Sequence, residues 1–205
     1  SEEQYSSPVL RYTSKKLKTD AICDKAVAAN VLNFLYTPQE YRTAERCLDA
    51  VRRDTDTHMG ERAILSGVPE NVLHGPLGNE ICKAAVAAKW ETLVYVPKEY
   101  ITAYMLMSAA EAIPEGDSLY DVSYCFPRAK LTKTLCVAIM KRAGKGFASL
   151  PPRFKKDKDV IDAAISSYPD AVMELADEQL TEERLHRALE LDNTLLHRLP
   201  GEILD

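Results

Sequence analysis

Residues 22–44, ICDKAVAANVLNFLYTPQEYRTA, align without a gap on residues 81–103, ICKAAVAAKWETLVYVPKEYITA, at an offset of 59, with 12 of 23 positions identical. Chance does not give that match, so the chain is built from internal repeats, and the repeat must be read before any local feature. A small residue at its centre, Ala26 in one copy and Ala85 in the other, serves as an anchor. Seven anchors run along the chain: Ala26, Ala50, Ala85, Ala109, Ile139, Ala164 and Ala188, spaced 24, 35, 24, 30, 25 and 24 residues apart. The basic period is about 24, lengthened by insertions in the second and fourth repeats.

Each recurring feature has a physical reason. Seven residues before the anchor stand Thr19, Thr43, Gly78, Thr102, Thr132, Asp157 and Thr181. Nearly all carry a side chain that accepts a hydrogen bond from the free N–H groups opening a helix, so this is the N-cap position. Three residues before the anchor come Cys23, Cys47, Cys82, Leu106, Cys136, Ile161 and Leu185, and one after it Val27, Val51, Val86, Ala110, Met140, Ile165 and Leu189. Together with the anchor they form one apolar helical stripe. Twelve residues after the anchor come Pro38, Pro97, Pro151 and Pro200, with Pro69 and Pro127 displaced by the insertions and Asp177, one place later, standing for proline in the sixth repeat. Proline there sets a chain break or the first turn of a new segment. Three residues further on, Tyr41, Tyr100, Phe154 and Ile203 supply a bulky plug.

Each repeat thus reads as a capped helix of about eleven residues, a turn, a second short helix, and a proline-bearing link. One such repeat cannot bury its own stripe, whereas stacked neighbours can. The expected fold is all-α: tandem helical repeats of about 24 residues in one domain over residues 1–205, stacked as an α-solenoid-like array. No run alternates with period two for more than a few residues, which argues against strands. The segment LRYTSKKLKT at 10–19 matches the tail FLYTPQEYRT at 34–43, and Asp205 falls where an eighth N-cap would stand. The expectation is therefore a piece of a longer array.

Composition narrows the class. With 205 residues, 46% hydrophobic and 28% charged, the chain has material for a packed core and no compositional sign of disorder. The net charge of -5 does not favour nucleic acid as a partner. No apolar run approaches the roughly 20 residues of a bilayer span, and the opening Ser1, Glu2, Glu3 and Gln4 carry no secretory signal.

The stretches KKDKDVIDAAI at 155–165 and YRTAERCLDAV at 41–51 resemble the short helical repeats of the bacterial domain-of-unknown-function family numbered 4116, a resemblance that covers roughly residues 5 to 205. It implies an all-helical array with an interaction role, of the kind found in tandem in bacterial proteins, including large secreted proteins of host-associated species. It implies no catalytic residues.

The chemistry-bearing residues mostly have plainer readings. Cys23, Cys47, Cys82 and Cys136 hold the stripe position that Leu and Ile fill elsewhere, which makes them small buried hydrophobes. Their spacings place the thiols in different repeats, so neither metal ligation nor pairing is expected, and free thiols suggest a reducing, cytoplasmic compartment or translocation into a host cell. Cys125, in an insertion-bearing repeat, is the candidate reactive thiol, although core filling explains it too. His58, His74, His186 and His197 read as lacking a carboxylate or thiol at a useful helical spacing. Gly144 and Gly146 lack the rest of a phosphate loop and read as turn glycines. No catalytic, metal-binding or cofactor-binding residue is assigned, and the chain is read as non-enzymatic.

Two features point to partner contact. Residues 128–158 carry ten Lys or Arg against one acid, +9, and residues 159–205 carry twelve acids against three Arg, -9. The basic strip, centred on Arg153, Lys155, Lys156 and Lys158, is a candidate docking surface; a solvated patch balanced by its acidic neighbours is the plainer reading. Trp90, the only tryptophan, stands five residues past its anchor, where other repeats carry Val31, Thr55, Pro114, Gly144, Pro169 and Asn193. It is a candidate contact anchor, since Trp dominates interface hot spots, with packing over its own turn the equal alternative. The function expected is a protein-binding module of a larger bacterial protein. The alternatives are RNA or anionic-surface binding through 128–158, and a regulatory segment of an enzyme whose site lies elsewhere.

Overall fold

A computed structural model describes residues 7–54, 63–115 and 125–199. Every regular element among the described residues is helical, and none of these helices is long and apolar enough to cross a membrane. Seven α-helices stand on the seven anchors: α1 (Asp20–Ala29), α2 (Ala44–Arg52), α3 (Gly78–Ala88), α4 (Ala103–Ala112), α5 (Lys133–Met140), α6 (Lys158–Ser167) and α7 (Glu182–Leu191).

Five of the expected N-caps work through their side chains. Thr43, Thr102, Thr132 and Thr181 hydroxyls accept from the N–H of Arg46 (3.4 Å), Met105 (3.2 Å), Leu135 (3.2 Å) and Arg184 (3.3 Å), and the Asp157 carboxylate accepts from Asp159 (3.0 Å) and Val160 (3.4 Å). Thr19 holds the cap position of α1 without that bond. Gly78 departs from the expectation: Leu77 is the cap and Gly78 the first helical residue. A Cβ on Gly78 would lie 1.6 Å from the Leu73 carbonyl oxygen, so it is the short helix Glu70–Leu73 behind it that demands glycine.

After five of the seven helices the chain turns the same way. The residue four past the anchor leaves the helical region: it is extended at Asn30 (φ -148°), Lys89 (-151°), Tyr168 (-147°) and Asp192 (-143°), and at Ala143 it has φ -132° and ψ 62°. A 3₁₀ helix follows at once: Val31–Tyr36, Trp90–Tyr95, Gly144–Ser149, Pro169–Glu174 and Asn193–His197. Asn30 and Asp192 fix the bend by accepting from the N–H two residues on, each at 2.9 Å. The proline twelve past the anchor then starts a tight turn, its carbonyl accepting from the plug residue's N–H: Pro38 from Tyr41 (3.1 Å), Pro97 from Tyr100 (2.9 Å) and Pro151 from Phe154 (2.9 Å). Proline suits the place because it fixes φ and brings no N–H needing a partner. Pro200 and Ile203 lie outside the described residues.

The chain forms two compact bodies, one running to Met105 and one from Leu106, the division falling within α4. In the first, α2 packs on α3; in the second, α5 packs on α6 and α6 on α7. The stripe fills both cores. All seven anchors are buried, as are Cys23, Cys47, Cys82, Leu106, Cys136 and Ile161 three residues before them. The stripe thins at the first and last helices, where Val27, Leu185 and Leu189 are only half-buried and Ile22 and Leu191 are exposed.

Candidate binding site

Adjacent packed helices meet in one register. Residues five, four and one before the anchor and three after it face the preceding helix at two before its anchor and one and two after. Arg52 reaches Glu80 (3.1 Å), Arg184 reaches Asp162 (2.8 Å), Arg187 reaches the Ser166 hydroxyl (3.0 Å), and Ser167 donates to the Met140 carbonyl (2.5 Å). On α3 the facing set is Glu80, Ile81, Ala84 and Ala88, and on α6 it is Asp159, Val160, Ala163 and Ser167; Ile81 and Val160 are fully buried. On α2 the same four positions are Glu45, Arg46, Asp49 and Arg53.

That substitution opens a cleft. A guanidinium cannot take the place of a buried Ile or Val without leaving water, so Arg46 extends outward instead. It pairs with Asp20 and with Asp24 (2.7 Å) on α1 and donates to the Tyr41 carbonyl (3.0 Å). The hydrogen bond holds the Asp20 carboxyl below its ordinary value and raises that of Arg46. Arg53 closes the other end, donating to the Val27 and Ala28 carbonyls at 3.1 and 3.0 Å and pairing with Asp49 at 3.4 Å. Between α1 and α2 a cleft of about 380 Å³ remains. Cys23, Val27, Ala28, Phe34, Thr37 and Tyr41 line it, and Asp24, Glu45, Arg46, Asp49 and Arg53 rim it. Burial pushes the Cys23 thiol up, opposed by its hydrogen bond with Thr37. Below the cleft, Arg42 lies 5.3 Å from the Phe34 ring and donates to the Leu35 (3.0 Å) and Thr37 (2.8 Å) carbonyls, which stiffens the floor.

The residues singled out in the sequence fare differently. Trp90 is a correction: it is 4% exposed, within the core of the first body, and so is not available as a surface anchor. The reason is the bend before it, which makes position 90 the first residue of a buried 3₁₀ helix instead of a turn apex. Of the strip's central four, Arg153 lies 4.6 Å over the Phe154 ring and reaches the Leu131 carbonyl at 3.4 Å, and Lys155 binds the Ala148 carbonyl beside the Phe147 ring. Lys156 and Lys158 stand exposed. Elsewhere in the strip Lys133 meets Asp157 (3.0 Å) and Asp159 (2.6 Å), and Arg142 meets Glu115 (3.0 Å).

All five cysteines are buried and free, and burial pushes the Cys47, Cys82 and Cys136 thiols up to about 11. Cys125, the candidate reactive thiol, is buried as well, at 7% exposed against 1% or less for the other four. Two histidines correct the expectation that carboxylates are remote: His74 lies 3.3 Å from Glu99, and His186 lies 3.4 Å from Glu190 one helical turn on. His58 lies outside the described residues. Among the described residues no three His, Cys, Asp or Glu side chains converge as metal ligands do. The cleft was the residue set not picked out beforehand, although its signal lay in the alignment, where Arg46, Asp49 and Arg53 align with Ile81, Ala84 and Ala88. No family model, curated protein or solved structure matches the chain.

Proposed function

We propose that this chain is a non-enzymatic, protein-binding module whose repeats stack within each body in the manner of an α-solenoid, as part of a larger bacterial protein related to family 4116 repeats. One observation carries the reading: the repeat holds its backbone and buried stripe constant while its exposed positions vary without restraint. Two residues after the anchor stand Ala28, Arg52, Ala87, Glu111, Lys141, Ser166 and Glu190, exposed in every repeat. Such a scaffold presents a row of side chains whose identity is free of folding constraints, which suits recognition. Unpaired thiols fit a reducing compartment, the bacterial cytoplasm or a host cell entered by translocation.

The partner-facing residues on this reading are Lys156 and Lys158, since Arg153 and Lys155 already hold carbonyls and rings of their own body. Their neighbours Asp157 and Asp159 are engaged by Lys133, which leaves the two ammonium groups to act on a partner. The test is capture by the immobilised chain from bacterial and animal-cell lysates at low and physiological salt, with bound protein and RNA both identified. A protein retained at physiological salt and lost on Lys156→Glu/Lys158→Glu supports the reading. If RNA alone is captured, and is released as salt rises, the reading gives way to electrostatic nucleic-acid binding.

A further inference from the structure

We propose that the cleft between α1 and α2 binds a small hydrophobic amine: an apolar body of the size of the aliphatic side chain that the repeat buries elsewhere, carrying one ammonium group to the rim. The inference stands apart from the protein-binding role above and begins from the repeat itself. Where α3 and α6 insert Ile81 and Val160 against the preceding helix, α2 sends Arg46 outward and leaves the volume behind it unfilled. The walls of that volume are still those of a core position. Cys23 and Phe34 are 1% and 2% exposed, and Val27, Ala28 and Tyr41 complete an apolar floor. An aryl or branched alkyl group seated there gains the burial that the missing side chain would have had.

The rim selects the charge. Asp24, Glu45 and Asp49 rim the opening against two guanidiniums, Arg46 and Arg53. Both guanidiniums are committed, Arg46 to Asp20 and Asp24 and Arg53 to Asp49 and two carbonyls in the last turn of α1. Lys18 is bound to the Tyr36 carbonyl at 2.9 Å. The end of α1 at Val27 and Ala28 adds the negative pole of a helix to the same side. A cation is thus favoured and an anion opposed, with Glu45 and Asp49 the carboxylates on the α2 side.

The probe is 2-phenylethylamine, with 2-phenylethanol and 3-phenylpropionate as neutral and anionic counterparts of similar shape. Each is titrated into the full chain and followed by amide NMR. The expected result is a Kd of about 1 mM or tighter for the amine, at least about fivefold weaker binding of the alcohol, and no saturable binding of the acid. Amide shifts should centre on residues 23–28 and 45–53. Glu45→Gln/Asp49→Asn changes only exposed side chains and should bring amine and alcohol within twofold of each other. Val27→Trp, filling the cleft, should abolish binding of both the amine and the alcohol. Equal binding of the three probes, shifts centred elsewhere, or no saturation by about 10 mM amine overturns the proposal.

Discussion

Replacing Gly144 by alanine should loosen the second body. An ideal Cβ at Gly144 would lie 2.4 Å from the Ala164 carbonyl oxygen, 2.5 Å from Ser167 Oγ and 2.8 Å from Tyr168 Cβ. All three belong to the last turn of α6 and its cap, and the nearest is backbone, which cannot rotate away. That oxygen already accepts the Tyr168 N–H at 2.8 Å, and Ser167 donates to Met140 at 2.5 Å, so α6 must back away as a unit and loosen its packing on α5. Overpacking of this kind costs about 1–3 kcal/mol. Loss of the Ser167 bond adds about 1 kcal/mol, and the stiffer unfolded chain returns about 0.5 kcal/mol. The net expectation is a destabilisation of about 2–3 kcal/mol, read from urea unfolding followed by far-ultraviolet circular dichroism. Gly75→Ala is the control, because its nearest contact, the Asn71 carbonyl oxygen, is at 3.1 Å and the cost should stay below about 1 kcal/mol. In Gly144→Ala/Ser167→Ala one clash disappears while the carbonyl clash stays, so the double variant should lose less than the two singles added together. Unchanged stability of Gly144→Ala would refute the close approach on which the argument rests.

Three further outcomes follow from the packing. Trp90→Ala should cost about 3–5 kcal/mol, and the native tryptophan emission should be blue-shifted and move red on unfolding; a red-shifted native spectrum would return Trp90 to the surface. A double-mutant cycle on Arg184 and Asp162, whose guanidinium is 13% exposed, should give a coupling of about 1 kcal/mol, against about 0.3 kcal/mol or less for the open Arg52–Glu80 pair; equal couplings would mean that burial does not matter here. Thiol reagents at pH 8 should leave Cys47, Cys82 and Cys136 unmodified until the chain unfolds. Their folded values, raised to about 11 from 9.0, make stability fully present below pH 9 and progressively lost as pH rises toward 11, and serine or alanine in their place should flatten that loss.

Much of the fold was legible because the repeat multiplies weak local signals. One threonine before an apolar residue is a poor helix signal, but six hydroxyl or carboxylate caps at a fixed distance from an anchor are a strong one, and all seven helices lie where the anchors place them. The 3₁₀ character of the second element was not legible. It depends on the non-helical residue four past the anchor, and Asn30, Lys89, Ala143, Tyr168 and Asp192 share no side-chain chemistry that marks it. The same bend hid Trp90, because a position shared by Val31, Gly144, Pro169 and Asn193 reads as a turn apex when it is the first residue of a 3₁₀ helix, buried at Trp90 and Gly144. The charged strip was readable as charge but not as geometry, since no sequence rule says that Arg153 folds over Phe154.

The cleft was readable only by comparing repeats with one another, and that comparison has a physical consequence for how the array is held. Arg46 to Asp24 and Arg184 to Asp162 are the same bond in the same slot, each arginine also donating to the carbonyl five residues before it, Tyr41 at 3.0 Å and Gln179 at 2.7 Å. They occur where α1 meets α2 and where α6 meets α7, the outermost described helices of the two bodies. Between α2 and α3, and between α5 and α6, the slot holds Ile81 and Val160 instead. An apolar slot gains about 1.5–3 kcal/mol from burial and is insensitive to salt, whereas a half-exposed ion pair gains about 1 kcal/mol or less and weakens as salt rises. The first and last helices are therefore held more weakly than those between them, by directional bonds that fix their register. Loose attachment of that kind leaves room for a cleft at α1, and it lets that cleft adjust to an occupant at little cost to the packed interior.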